Sequence, residues 1–127
     1  MIYVGTNLKV FDNSGVKSVK CIRILGSNNP KFAGIGDLIV VSVKNVINSS
    51  PNFKTSVKKG SIYYALVVQT KKKKRSFDNF LTSFINNGVV ILDNKKNLLF
   101  TRIKGPISYV LRVKKFTKVL SLSKYIL

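Results

Sequence analysis

Over the first three quarters of the chain, apolar and polar residues alternate with a period of two, in short runs rich in Val and Ile broken at regular intervals by compact turn clusters. Only a β-strand sends successive side chains to opposite faces, so this part of the chain is expected to be β rather than helical. The pattern predicts strands over 7–11, 17–25, 38–47, 61–70, 80–85 and 88–92. The stretches "DNSG" at 12–15, "GSNNP" at 26–30, "NSSPN" at 48–52 and "DNKKN" at 93–97 supply turns between them. Short strands with such turns suggest a small closed barrel, because closure removes the edges that would otherwise pair with other chains.

After Gly105 and Pro106 the spacing changes. Val110, Leu111, Val113, Phe116, Val119 and Leu120 recur at three- and four-residue intervals, which predicts one or two short amphipathic helices capping the barrel. There is no repeat at solenoid period and no dividing linker. The expected organisation is a single domain over 1–127, with barrel and ribbon over 1–105 and a helical region over 106–127.

Hydrophobic residues make up 45% of the 127 positions, enough for a folded globule that buries a modest core without metal or disulfide help. The charge is lopsided: 23 Lys plus Arg stand against 4 Asp, with no Glu or His, for a net +19. Small soluble domains usually carry a net charge of magnitude about 2 to 8. Self-repulsion at +19 works against the compact state, so the working form is expected to lie against a polyanion.

Cys21 is alone, which excludes an internal disulfide and a thiolate zinc cluster, and its strand-like context "SVKCIRIL" predicts a buried, inert thiol. The longest wholly apolar run, "IYYALVV", has 7 residues and is too short to cross a bilayer core of about 30 Å as a helix. The first residues, "MIYVGTNLKVFDNSG", carry neither a signal core nor an Arg- and Ser-rich presequence. Among the 23 cations Lys outnumbers Arg 19 to 4, and Asn and Ile each occur 12 times, the usage of an AT-rich genome. Together these features predict a protein made inside a mitochondrion, with a plastid or an AT-rich bacterium as the alternative.

"TKKKKRSFDNF" follows directly on the apolar run "YYALVVQ" with no spacer. Five consecutive cations fit a disordered localisation tail, a membrane-surface patch or an ordered basic finger on nucleic acid. Strand-like runs bracket Lys71–Arg75, and Asp78 and Asn79 suit a tight turn, so the segment reads as a hairpin projecting beyond the barrel.

Catalysis is poorly supplied. Proton transfer at neutral pH usually employs His or paired carboxylates. His is absent, and three of the 4 acids, Asp12, Asp78 and Asp93, sit in Asp-Asn dipeptides suited to bonding nearby backbone N–H groups. "GIGD" at 34–37 resembles a dinucleotide loop, but the strand-like "LIVV" follows where a helix is needed, so a tight turn is expected. No cofactor and no metal are expected. Binding is well supplied: lysines punctuate nearly every segment, and Tyr63, Tyr64, Phe77, Phe80 and Tyr109 offer stacking faces or core packing. The chemistry alone reads as a basic β-barrel binder of structured nucleic acid. An RNA chaperone or architectural nucleic-acid binder is the alternative, and a nucleic-acid enzyme a third.

The blocks "NLKVFDNSGVKSVKCIRILG", "KFAGIGDLI", "VKKGSIYYALVVQTKKK", "TRIKGP" and "LRVKKFTKVLSLSKYIL" together resemble the universal large-subunit ribosomal proteins of the L-fourteen family, collinearly over 1–127. The internal motif of that family is met by Ala65, Leu66, Val67, Val68, Asp78, Phe84, Asn87, Val90 and Ile91. Asn79 stands where the motif has Gly, and Asn is the non-Gly residue best suited to a left-handed turn. Phe100 occupies a usual Gly, and the loop over 48–56 is longer than is common in the family. The resemblance implies a closed five-stranded barrel with a basic ribbon and C-terminal helices, bound to large-subunit rRNA. By it, the cations expected on RNA are Lys71, Lys72, Lys73, Lys74 and Arg75, with Lys58, Lys59, Lys17 and Arg23. It also implies intersubunit bridges to small-subunit rRNA and a neighbouring protein of the L-nineteen family. By the same resemblance, Thr101, Arg102 and Lys118 match an exposed surface on which a ribosome-silencing factor is expected.

Overall fold

The computed structural model describes residues 1–25, 31–47, 57–75, 79, 81–99 and 101–127. Five strands close a barrel: β1 (Asn7–Val10), β2 (Val16–Ile24), β3 (Leu38–Val46), β4 (Ile62–Gln69) and β7 (Gly88–Leu92). Neighbours run antiparallel except at the seam, where β1 meets β7 in parallel through Lys9↔Gly88 and Val10↔Val89. Outside the barrel, β5 (Lys74–Arg75) pairs with β6 (Leu81–Thr82), and β8 (Ile103–Ile107) pairs in parallel with β9 (Ser123–Ile126). Two short helices, α1 (Val110–Val113) and α2 (Thr117–Leu122), lie between β8 and β9. None of the helices is long and apolar enough to cross a membrane among the described residues.

The two cores explain why some strands alternate and others do not. Inside the barrel, Leu8, Val19, Val41, Ala65, Val67 and Ile91 belong to one buried cluster. Leu66 and Val68 of β4, and Val90 and Leu92 of β7, face the other way into a second cluster with Ile107, Leu111, Val119 and Leu120. These two strands are covered on both faces, which is why "ALVV" and "VVIL" are continuously apolar. The helices have 4 and 6 residues, too short to persist alone, so burial of Leu111, Val119 and Leu120 holds them in place.

The expected strands over 7–11, 17–25, 38–47, 61–70 and 88–92 are all present, with no end displaced by more than one residue. Within the run expected over 80–85 the described strand is Leu81–Thr82, and it ends there because Phe84 turns inward against the second core and its N–H bonds to the Thr70 carbonyl at 3.1 Å. Two strands escaped the sequence pattern. β8 runs across Gly105 and Pro106, where a break was read: Gly105 has φ +81°, and the register slips between Ile103 and Pro106, so the pair is a bulge inside a strand. β9 occupies chain that was expected to be helical.

"GIGD" is the expected turn: Gly36 has φ +85°, and the Gly34 N–H donates to Asp37 Oδ2 at 2.8 Å. Asn79 has φ 62°, the left-handed conformation expected where the family motif has Gly. The turn clusters at 26–30 and 48–52, the longer loop over 48–56, and Phe77, Asp78, Phe80 and Phe100 lie outside the described residues.

Candidate nucleic-acid interface

The basic run is rooted in the barrel. Gln69 and Thr70 are buried, and the chain then emerges with Lys71, Lys72, Lys73 and Arg75 exposed. The Lys71 N–H donates to Asn87 Oδ1 at 3.0 Å, and Lys72 Nζ lies 3.5 Å from the Met1 sulfur. Beyond these anchors, Lys74↔Thr82 and Arg75↔Leu81 form the short ladder that makes the run one arm of a ribbon. Consecutive lysines repel one another, so this backbone pairing fixes charges that a tail would let spread.

The remaining expected cations divide between two ends of the barrel. Lys58 and Lys59 are exposed in the turn before β4, whereas the ribbon leaves from the far end of that strand, roughly 25 Å away at about 3.3 Å per residue. β2 runs in the same direction as β4, which puts Lys17 at the Lys58 end and Arg23 at the ribbon end, both exposed. Lys9 and Lys20, also exposed on β1 and β2, add two cations that the sequence reading did not single out. The structure therefore spreads charge over a broad surface instead of gathering it at one site.

Thr101 and Arg102 are held by one side chain. The Asn13 amide oxygen accepts the N–H of Thr101 at 2.9 Å and of Arg102 at 3.3 Å, while its NH₂ donates to Thr101 Oγ1 at 2.8 Å. Thr101 and Arg102 line a trough of about 850 Å³ with Lys104, Lys124 and Tyr125. Lys118 lines a different depression, of about 560 Å³, with Lys96, Lys115, Phe116 and the apolar outer face of β3, β4 and β7. Of the three residues matched to the partner surface, Thr101 and Arg102 line one depression and Lys118 lines the other.

The described acids, Asp12, Asp37 and Asp93, each accept hydrogen bonds from within the chain. Asp12 is buried: Oδ1 accepts from the N–H and hydroxyl of Ser14, and Oδ2 from the Ile91 N–H at 2.8 Å. Burial raises its pKa against the pull of those donors and, more weakly, of Lys104. Asp93 Oδ1 accepts the Asn94 N–H, the expected turn role. Asp37 also accepts from Lys114 Nζ at 3.2 Å, the one salt bridge among the described residues. Cys21 is buried and free, its pKa raised by that burial, and no cluster of His, Cys, Asp or Glu suited to a metal occurs among the described residues. The deep placement of Asp12 was not legible in its Asp-Asn dipeptide.

Tyr63 and Tyr64 are half-buried against the two cores, so they pack rather than stack on ligand. Tyr109 is exposed, with the Arg112 guanidinium 5.4 Å from its ring centre. Tyr125, at 64% exposure, offers the barest aromatic face among the described residues, and the alternation pattern gave no reason to single it out. In comparison with known families, the model for ribosomal protein L14p/L23e matches residues 1–127.

Proposed function

Because the chain belongs to the ribosomal protein L14p/L23e family over its whole length, a membership that supports a structural role in the large ribosomal subunit, we propose that it is held there by direct contact with large-subunit rRNA. The whole-length match is the observation that carries this reading. Its physical support is the net +19, the rooted ribbon of Lys71–Arg75 and the cations Lys17, Arg23, Lys58 and Lys59 at both barrel ends. A spread of phosphate contacts suits a protein that is a fixture of a folded RNA, which presents phosphates on many sides.

The same reading gives Thr101, Arg102 and Lys118 to the exposed face, where small-subunit rRNA at an intersubunit bridge and a ribosome-silencing factor would compete. A protein of the L-nineteen family is the proposed neighbour. Lys, Asn and Ile usage favours a mitochondrial ribosome, with plastid or bacterial ribosomes as the alternative.

Sedimentation of a native lysate tests the assignment. The protein should travel with large subunits after a moderate-salt wash, and its binding to RNA as a free chain should weaken by a log-log slope of roughly 0.7 to 0.9 per phosphate neutralised. Recovery mainly as a free monomer would instead favour an RNA chaperone.

A further inference from the structure

We infer that the C-terminal strand β9 forms one wall of a single-stranded RNA trough, in which Tyr125 stacks on a base while Arg102, Lys104 and Lys124 hold the flanking phosphates. The inference rests on the rRNA-binding reading above and adds a site to it.

Four observations carry it. The trough is lined by cations, Asn13, Thr101 and the edges of Ile103 and Leu122, and no carboxylate lines it. Arg102, Lys104 and Lys124 are exposed and form no salt bridge among the described residues, and Asp12, on which Lys104 acts, is itself buried. Tyr125 is 64% exposed, and neither a ring nor a cation covers it among the described residues. Both walls are fixed before any ligand arrives. Asn13 clamps 101–102, while β9 is pinned by Ser123 Oγ on the Leu120 carbonyl at 2.9 Å and by the Leu127 N–H on the Ile107 carbonyl at 2.9 Å. A rigid cationic channel beside a bare aromatic face is the chemistry that binds an unpaired strand, since every base has a π-face and every linkage a phosphate. An acidic protein segment would use the cations but has no need of a flat ring, so RNA is the better occupant. The strand comes from large-subunit or small-subunit rRNA, which share this chemistry.

Two experiments test it. With the photoreactive residue p-azidophenylalanine in place of Tyr125, irradiation of isolated large subunits should crosslink the chain to large-subunit rRNA, or irradiation of joined ribosomes should crosslink it to small-subunit rRNA. Crosslinks to protein alone, or none in either sample, overturn the inference. For the free full-length chain and an oligoadenylate of about ten nucleotides, Tyr125→Ala should lose affinity roughly five- to hundredfold with the salt slope unchanged. Tyr125→Phe should stay within about twofold, and Lys124→Ala should lower the slope by about 0.7. Wild-type binding with steep salt dependence but equal affinity in all three variants overturns the trough and leaves the ribosomal reading standing. Failure of the wild-type chain to bind RNA overturns both.

Discussion

Asp12 accepts a hydrogen bond from the backbone of Ile91, 79 residues further along the chain, at 2.8 Å. It thereby ties the turn after β1 to β7, the two strands that meet at the barrel seam. Removing the carboxylate in Asp12→Ala leaves the donors of Ile91 and Ser14 buried without an acceptor, so the variant should lose about 2 to 4 kcal/mol in urea denaturation. A loss within the noise of a surface substitution would refute the structural role.

The same residue has a pH dependence of definite sign. Its pKa in the folded chain is raised above the ordinary 3.8, so the folded state binds this proton more readily than the unfolded state. Its contribution to stability is therefore greatest below the unfolded pKa and declines as pH rises through the folded one. Compared with Asp12→Asn, the wild-type chain should gain relative stability as pH falls from neutral toward about 4, and level off below that. Denaturation midpoints of both proteins across that window check it, and a wild-type advantage that shrinks on acidification would contradict it.

Gly88 meets the Cδ2–Cε2 edge of the Phe11 ring, and a Cβ at that position would overlap these two carbons. Gly88→Ala should cost about 1 to 3 kcal/mol through overpacking at the seam. Trimming the ring in the double variant Gly88→Ala, Phe11→Leu should recover part of that loss. Additive losses would show that the ring does not limit the site.

Replacing Lys71, Lys72, Lys73, Lys74 and Arg75 by Ser should leave the barrel's denaturation midpoint nearly unchanged, because the cores lie in other residues. Incorporation into subunits should fall, and the salt slope of RNA binding should drop by about 0.7 to 0.9 for each phosphate that these cations no longer neutralise. Unfolding of this variant would mean that the run has a structural role.

Arg102→Glu and Lys118→Glu should be compared singly, since the two residues line separate depressions. A silencing factor that spans both should bind isolated large subunits more weakly after either change, by roughly tenfold or more where a close pair becomes a repulsion. Factor binding is scored on subunits that retain the protein, because Arg102 also lines the RNA trough inferred above. Factor binding unaltered by both changes would remove this surface from the proposal, and an effect of only one would confine the factor to one depression.

The sequence made the barrel legible because most of its strands obey local rules: alternation on β1 and β3, alternation interrupted by register shifts on β2, and doubly buried runs on β4 and β7. The left-handed turn at Asn79 could be read from one residue's steric tolerance. β8 and β9 were hidden because their pairing is parallel and joins residues about twenty apart, while Gly105 and Pro106 are read locally as a break. The trough was invisible for the same reason: Asn13, Arg102 and Lys124 converge only after the chain has closed on itself. The ribbon was legible as charge, yet its root on Asn87 was not, because a side chain bonding to a distant backbone N–H leaves no periodic trace.

The parallel seam between β1 and β7 also sets an order of events during synthesis. β1 finds β2 within a few residues, but its other edge waits for residues 88–92, so the chain can assemble a curled four-stranded sheet long before it can become a barrel. Until then the amides of Lys9 and Phe11, which end on the carbonyls of Asn87 and Val89, are open to solvent. They should be the last barrel amides to gain protection in pulsed hydrogen exchange, and earlier protection than at the β2–β3 ladder would rule the order out. In the interval a nascent chain rich in lysine carries an unsealed edge, and sealing that edge converts it from a sticky sheet into a closed, rigid part.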